Sequence, residues 1–217
     1  MMTDDAVVIP IGDLYRQLTK VLRLRPTDTV RFFDGMGNVA EGAIAHINKD
    51  GILVPISHRA VQPRGRHVTL AIGILKNDRM KAVLEKATEL GVSKIIPMIS
   101  DRVVKRPEAV PPRWYHIVRE AAEQSGRAWL PEVADVIALK RVLETQEDLV
   151  FYTPDRSKAE LPGPTLKHPT LLIGPEGGFT PEEEALAQDH GAHFGSLGEH
   201  QLRADTAAIV AIARHTP

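Results

Sequence analysis

Cysteine is absent from the 217 residues. No disulfide can form, thiolate-ligated zinc and iron–sulfur centres are excluded, and so is a cysteine nucleophile. An excess of charge of one sign is also missing: 27 Lys and Arg against 28 Asp and Glu leave a formal net charge of -1. That balance excludes a polycation that coats nucleic acid through total charge, so any nucleic-acid contact has to come from a local basic surface. No apolar run approaches the roughly 20 residues of a membrane-spanning helix. The opening MMTDDAVVIP carries acidic residues where a secretory signal needs basic ones. The expected location is the cytoplasm, without membrane contact. Nine histidines are present, but no His-Glu-x-x-His pair occurs, and His190 and His193 lack a carboxylate partner set, so no metal site is expected. What remains is ordinary globular composition, 43% hydrophobic and 25% charged, long enough for one large domain or two modest ones.

The first third reads mostly as strands. A short helix is predicted from Gly12 to Leu22, with Asp13 near its start and Leu14, Leu18, Val21 and Leu22 on one side. Thr29 to Phe33 then runs into Asp34-Gly35, a hairpin signal. Further strands are expected from Val39 to His46 and from Ile52 to Ile56, separated by the turn Asn48-Lys49-Asp50-Gly51. Short strands joined by tight turns point to a small barrel. Val61 to Arg66 is polar, basic and broken by Pro and Gly, as in a linker. Domains are therefore expected at 1–66 and 67–217.

From Val68 the pattern changes. Val68 to Ile74 is a continuous apolar run, as in a strand buried on both faces. An amphipathic helix follows from Asp78 to Leu90, with Asn77 as its cap and Gly91 as its stop. Lys94–Met98 is a second strand, Pro111-Pro112 opens a helix through Gln124, and weaker segments lie near Val133–Val136 and Leu139–Glu144. Leu149–Tyr152 and Leu171–Ile173 are buried strands again. Alternation of this kind gives a mostly parallel α/β sheet.

Two stretches carry the chemistry. In the first, a buried strand ends at Ile173, the loop Gly174-Pro175-Glu176-Gly177-Gly178-Phe179 follows, and a helix starts at Thr180-Pro181-Glu182-Glu183. Thr180 suits the cap, Pro181 the first helical position, and Glu183 completes a capping box. In parallel α/β sheets ligands bind at the carboxyl ends of strands, and glycines let the backbone approach a ligand closely. A tight turn with structural glycines explains the same residues, and the loop alone does not separate the two. No Gly-x-x-x-x-Gly-Lys-Ser/Thr occurs, Gly35-Met36-Gly37 falls in a hairpin, and Glu176 would repel a phosphate but tolerate a cation such as a sulfonium. In the second stretch, a short strand runs into Leu197-Gly198, and a polar loop with Leu202, Arg203 and Asp205 leads to an apolar helix, Ala207 to Ala213. That helix is expected to be buried. Asp205 as a cap beside a solvated Arg203 is the plainer alternative.

Gly174-Pro175-Glu176-Gly177-Gly178-Phe179, Leu197-Gly198 and Leu202-Arg203-x-Asp205-Thr206-Ala207 together resemble the RsmE family of SPOUT-class RNA methyltransferases. Lys86 to Val92, Glu123-Gln124-Ser125-Gly126-Arg127, Val21-Leu22-Arg23 and Phe33-Asp34-Gly35 match in the expected order. The resemblance implies a PUA-like β-barrel followed by an α/β domain with a deep trefoil knot, working as a homodimer. It also implies S-adenosylmethionine as cofactor and methylation of N3 of uridine 1498 in the 16S rRNA of the small ribosomal subunit. Carried over by position, cofactor contacts fall at Thr153, Ile173, Gly174, Pro175, Glu176, Gly177, Gly178, Leu197, Gly198 and Leu202. The chain departs from the family at His200, where an Arg is usual, and at Asp205, where a Glu is usual. A neutral His200 would weaken a phosphate or base contact made by that Arg.

Without cysteine, addition of a thiolate to C6 of a pyrimidine before methylation at C5 is excluded; a ring nitrogen, an exocyclic nitrogen or a ribose hydroxyl remains possible as acceptor. For uridine N3, charge spreads onto the flanking carbonyls as the proton leaves. Arg203 is the candidate to stabilise it and Asp205 to orient Arg203. RNA-contact candidates are Arg23 and Arg25 in the barrel and Gln124 and Arg127 in the large domain. Further cations stand at Arg64, Arg66, Arg102, Lys105, Arg106, Arg113 and Arg119, any of which also fits a solvated face. Competing readings are a knotted methyltransferase with a tRNA or other rRNA target, a non-catalytic RNA-binding module, and a small-molecule enzyme with an accessory barrel.

Overall fold

The computed structural model describes residues 5–155, 157, 159 and 166–216. The chain forms two compact units, Met1–Arg64 and Gly65–Pro217.

The first unit contains β1 (Ala6–Ile9), α1 (Asp13–Arg16), β2 (Thr29–Phe33), β3 (Asn38–Ala43), β4 (His46–Asn48), β5 (Gly51–Pro55) and β6 (His58–Val61). These strands pair antiparallel in two three-stranded sheets, ordered β1-β5-β4 and β2-β3-β6. The β2–β3 turn is held by Asp34 Oδ1, which accepts from the N–H groups of Met36 (2.7 Å) and Asn38 (3.1 Å). Val7, Ile9, Leu18, Ile44, Ile52 and Val54 form the core. Two expectations change. The strand expected over Val39–His46 breaks after Ala43, because Ile44 instead bonds Thr27 and Asp28 through its own backbone and turns its side chain inward. The helix expected over Gly12–Leu22 is α1 followed by a π-helical turn, Gln17–Val21. The wider winding rotates the apolar positions apart, so Leu18 is buried while Leu14, Val21 and Leu22 are exposed.

The second unit contains β7 (Thr69–Gly73), α2 (Asn77–Glu89), β8 (Lys94–Ile99), α3 (Pro112–Ser125), β9 (Glu132–Val133), β10 (Ile137–Ala138), α4 (Leu139–Thr145), β11 (Leu149–Tyr152), β12 (Thr170–Ile173), α5 (Pro181–Asp189), β13 (His193–Gly195) and α6 (Ala204–His215). Its seven-stranded sheet is parallel, ordered β10-β8-β7-β12-β11-β13 with β9 beside β8. Side chains alternate between two cores. Leu70, Ile72, Val150, Tyr152, Leu171 and Ile173 pack with α2, α3 and α6, whereas Ala71, Leu149, Phe151 and Leu172 pack with α4 and α5. Strands covered on both faces explain the unbroken apolar runs, and each fully buried Leu, Ile or Phe contributes about 1.5–3 kcal/mol.

Helix ends differ from the sequence expectation in two places. Lys76, not Asn77, is the N-cap of α2, and no side chain of its own closes it. The Lys76 N–H donates to Glu176 Oε1 (3.0 Å), so the cap comes from the far end of the chain segment. Helix α6 starts at Ala204, three residues earlier than expected, which makes Arg203 the N-cap and puts Asp205 inside the first turn. Among the described residues no helix is long and apolar enough to cross a membrane.

Candidate functional site

Strands β11, β12 and β13 lie near one another and run parallel, so their carboxyl ends open on one side of the sheet. Parallel sheets bind ligands there. The loop after β12 folds back tightly, with Gly178 N–H donating to Pro175 O (2.8 Å) and Gly178 at φ 70. It lies directly on the end of neighbouring β7. A Cβ on Gly73 would stand 2.5 Å from the Pro175 nitrogen, and one on Gly174 would stand 3.1 Å from the Phe179 ring.

The loop is anchored from several directions. Thr180 Oγ1 accepts from Glu183 N–H (3.2 Å) and Glu183 Oε2 accepts from Thr180 N–H (2.9 Å), the expected capping box. The other oxygen of buried Glu183 accepts from Asp101 N–H (2.8 Å), tying the segment after β8 to α5. Arg102 donates to Gly177 O (2.8 Å). Glu176 turns its carboxylate to the α2 N-terminus and stands 3.9 Å from Arg79. Much of the Glu176 charge is thus already met by the α2 N-terminus and Arg79.

The second loop leaves β13 at Gly195, two residues earlier than expected. Arg214 donates to Ser196 O (2.8 Å) and Leu197 O (3.4 Å), pinning the loop to α6. Gly198 adopts φ 138, open to glycine and strained for other residues. At the base of the loop, Gly195 leaves room for the Tyr152 ring, whose hydroxyl lies 2.9 Å from His215 Nε2. Burial pushes the Tyr152 hydroxyl up to about 12. Burial, helped by Arg66 and Arg214, holds His215 below its ordinary value of 6.5. At neutral pH this leaves a neutral phenol against a neutral imidazole.

Both loops open into one cavity of about 450 Å³, and Gly177 and Gly198 both line it. So does every other cofactor candidate: Thr153, Ile173, Gly174, Pro175, Glu176, Gly178, Leu197 and Leu202. The volume falls within the range typical of small-molecule sites, roughly 300–1,000 Å³. Ile173, Leu197 and Leu202 supply apolar wall, and the glycine loops supply backbone donors and acceptors. Arg203 and His200 also line the cavity, whereas Asp205 does not. Among the described residues no ion pair joins Arg203 to Asp205, and Asp205 Oδ1 is buried with no hydrogen-bond partner. The sequence reading missed Arg79, Arg102 and Glu184 as lining residues. Glu184 Oε1 accepts from Thr153 Oγ1 (3.2 Å), a contact across 31 positions that no local spacing signals.

The RNA-contact candidates divide. Arg23 is exposed and holds a left-handed backbone (φ 54), and Arg25 is exposed. Gln124 is exposed near the end of α3. Arg127 donates instead to Thr88 O (2.8 Å) and Val92 O (2.6 Å), closing the carboxyl end of α2, so its guanidinium is occupied by a structural contact.

Comparison with known proteins follows the same division of the chain. Residues 62–216 match the model of an RNA methyltransferase domain, and residues 12–56 match an RNA methyltransferase PUA domain. A ribosomal RNA small subunit methyltransferase E from Rickettsia conorii is 35% identical over 202 residues, covering 89% of this chain and 82% of that protein. The protein of the same name from Synechocystis is 35% identical over 210 residues, covering 91% and 68%. The crystal structure of a ribosomal RNA small subunit methyltransferase E from Neisseria gonorrhoeae, bound to S-adenosyl methionine, superposes with a TM-score of 0.86 at 29% identity, covering 99% of this chain and 93% of that one. With both parts of the chain matched and the two glycine loops meeting in one cleft, the chain belongs to the ribosomal RNA small subunit methyltransferase E family.

Proposed function

We propose that this chain transfers the methyl group of S-adenosylmethionine to N3 of a uridine, position 1498, in the 16S rRNA of the small ribosomal subunit. The observation that carries the reading is the single cavity lined by Gly174 to Gly178, Leu197, Gly198 and Leu202. Solved relatives with S-adenosylmethionine bound support the choice of cofactor. The cavity fits such a group: its walls combine glycine-loop backbone and the apolar Ile173, Leu197 and Leu202 with polar and charged side chains, and a Cβ at Gly73 or Gly174 would crowd the loop after β12. When bound, the cofactor supplies an electrophilic methyl carbon on a sulfonium.

The chain's own residues do the rest. The glycine loops hold the donor in a fixed orientation and shield it from water, which converts an encounter into an oriented reaction. Uridine N3 loses its proton to water or a base before or during transfer, and the charge moves onto the two flanking carbonyl oxygens. The N3–methyl bond forms as the sulfur–methyl bond breaks, so the donor would leave as a neutral thioether. Arg203, on the cavity wall, is placed to stabilise that charge. Asp205 orients Arg203 once the substrate is in place; its unpartnered Oδ1 leaves it a bond to make. Exposed Arg23, Arg25 and Gln124 contribute RNA contacts, and the chain acts as a cytoplasmic homodimer.

Mass mapping of small-subunit rRNA from cells with and without this protein tests the assignment: one uridine should lose its N3 methyl group in the deletion strain. An unchanged methylation map overturns it. Arg203→Ala should lower single-turnover methyl transfer at saturating donor by about 10²–10³-fold, as expected for loss of a charge-stabilising donor. Wild-type turnover would remove Arg203 from the mechanism.

A further inference from the structure

A second hollow adjoins the first. It measures about 500 Å³ and shares two residues with the donor cavity, Arg79 and Glu176. Buried Ile74 and Leu75, on the segment leading from β7 to α2, line it on one side, and Val104, 85% exposed, lines it from the segment after β8. Its remaining lining residues are charged: Lys76, Lys105 and Asp78. Asp78 lies in the first turn of α2, where the helix dipole favours a carboxylate. Glu176 is met by the Lys76 N–H and by Arg79. Lys76 and Lys105 are exposed, and among the described residues neither ammonium group makes an ion pair or hydrogen bond. Two unneutralised cations thus flank a partly apolar hollow that opens beside the methyl-donor cavity.

We propose that this groove seats the RNA strand that carries the acceptor nucleotide, with Lys76 and Lys105 on backbone phosphates and Val104 against a base or ribose face. The assignment rests on the methyl-transfer reading above and names the acceptor side of that same site. Its geometry follows from the reaction. A methyl acceptor must reach the donor carbon directly, so its binding surface has to be continuous with the donor cavity, and the Arg79–Glu176 pair forms the shared boundary. Phosphate contacts set the register of a nucleic acid without reading its sequence. Two exposed ammonium groups beside an apolar surface suit a single strand better than a duplex. The overall charge of -1 gives no general attraction for RNA, which makes a local pair of unpaired cations next to the donor site more informative.

The test is Lys76→Gln with Lys105→Gln in the full-length protein, assayed on small ribosomal subunits that lack the methyl group. Neither lysine lines the donor cavity, so donor affinity by calorimetry and the thermal midpoint should stay at wild-type values. The KM for the subunit should rise about tenfold at moderate salt. The dependence of log KM on log salt should flatten by about 1–2, as expected when two phosphate contacts are lost. Val104→Asp should raise KM further by placing a carboxylate beside the strand. A control, Lys140→Gln with Lys167→Gln, changes two exposed lysines outside both hollows and should leave KM and slope unchanged. Wild-type KM and salt slope in the first variant overturn the assignment, as does an equal change in the control. If the wild-type chain binds no S-adenosylmethionine at all, the methyl-transfer reading itself fails and the groove assignment goes with it.

Discussion

Gly73 is the position at which a minimal change should most directly disturb the donor cavity. It is buried at the end of β7, outside the Gly174–Gly178 loop, and the loop rests on it. In Gly73→Ala the new Cβ would stand 2.5 Å from the Pro175 nitrogen and 3.0 Å from the Gly174 carbonyl carbon, both backbone atoms. Reaching an ordinary contact of 3.4 Å requires the loop to retreat by about 0.9 Å. Overpacking of this kind costs about 1–3 kcal/mol of stability. A displacement near 1 Å in a positioning element costs about 10²-fold in rate. Gly73→Ala should therefore bind S-adenosylmethionine more weakly in calorimetry and lose about 10²-fold in single-turnover methyl transfer, while circular dichroism shows the sheet intact. Gly177→Ala is the comparison: its Cβ meets the Arg102 side chain at 3.1 Å rather than backbone, so its effect should be smaller. Wild-type donor affinity in Gly73→Ala would refute the claim that β7 sets the position of the loop.

Three further outcomes are expected. Arg127→Met removes the two charged donors that close α2 and should destabilise the chain by about 1–3 kcal/mol in urea titration, with kcat nearly unchanged; a large kcat loss at full stability would return Arg127 to the RNA interface. Thr180→Ala should cost about 1 kcal/mol through loss of the α5 cap, measured by the same titration. His215, held below 6.5 in the folded chain, stays neutral while the unfolded chain takes up a proton. Stability is therefore full above pH 6.5 and falls as the pH drops below it. At the alkaline end Tyr152, near 12 when folded, makes stability fall as pH rises above its ordinary value of 10. A flat thermal midpoint from pH 7.5 to pH 5.5, or an identical slope in His215→Asn, would contradict the acid-side account.

What could be read from the sequence is what local spacing encodes. Thr180-Pro181-Glu182-Glu183 specifies a cap, a first turn and a reciprocal bond within four residues, and the capping box is found there. The strand ends at Tyr152 and Ile173 were legible because fully buried parallel strands leave unbroken apolar runs. Where local spacing carried no signal, the partner lay far along the chain. The α2 cap comes from Glu176, 100 positions from Lys76. Arg127 serves carbonyls 39 and 35 positions away, and no periodicity encodes either. The α6 start was misplaced because Arg203-Ala204-Asp205 reads as a polar loop, while in the fold Ala204 already packs against the core. The π-helical turn after α1 has no pattern of its own in the residues.

The donor cavity draws most of its walls from Tyr152–Pro154, Ile173–Phe179, Ser196–Gly198, His200–Ala204 and Ala207, stretches that touch only after the sheet has assembled. A ligand held among them acts as a clasp: it cannot stay bound if any one stretch peels away. Saturation at a hundred times the dissociation constant should add about 2.7 kcal/mol to global stability. The gain should be shared by amides on α6 and on the loop after β12 alike. Slowed hydrogen exchange at both, on adding S-adenosylmethionine, would show the enzyme's own co-substrate bracing its fold.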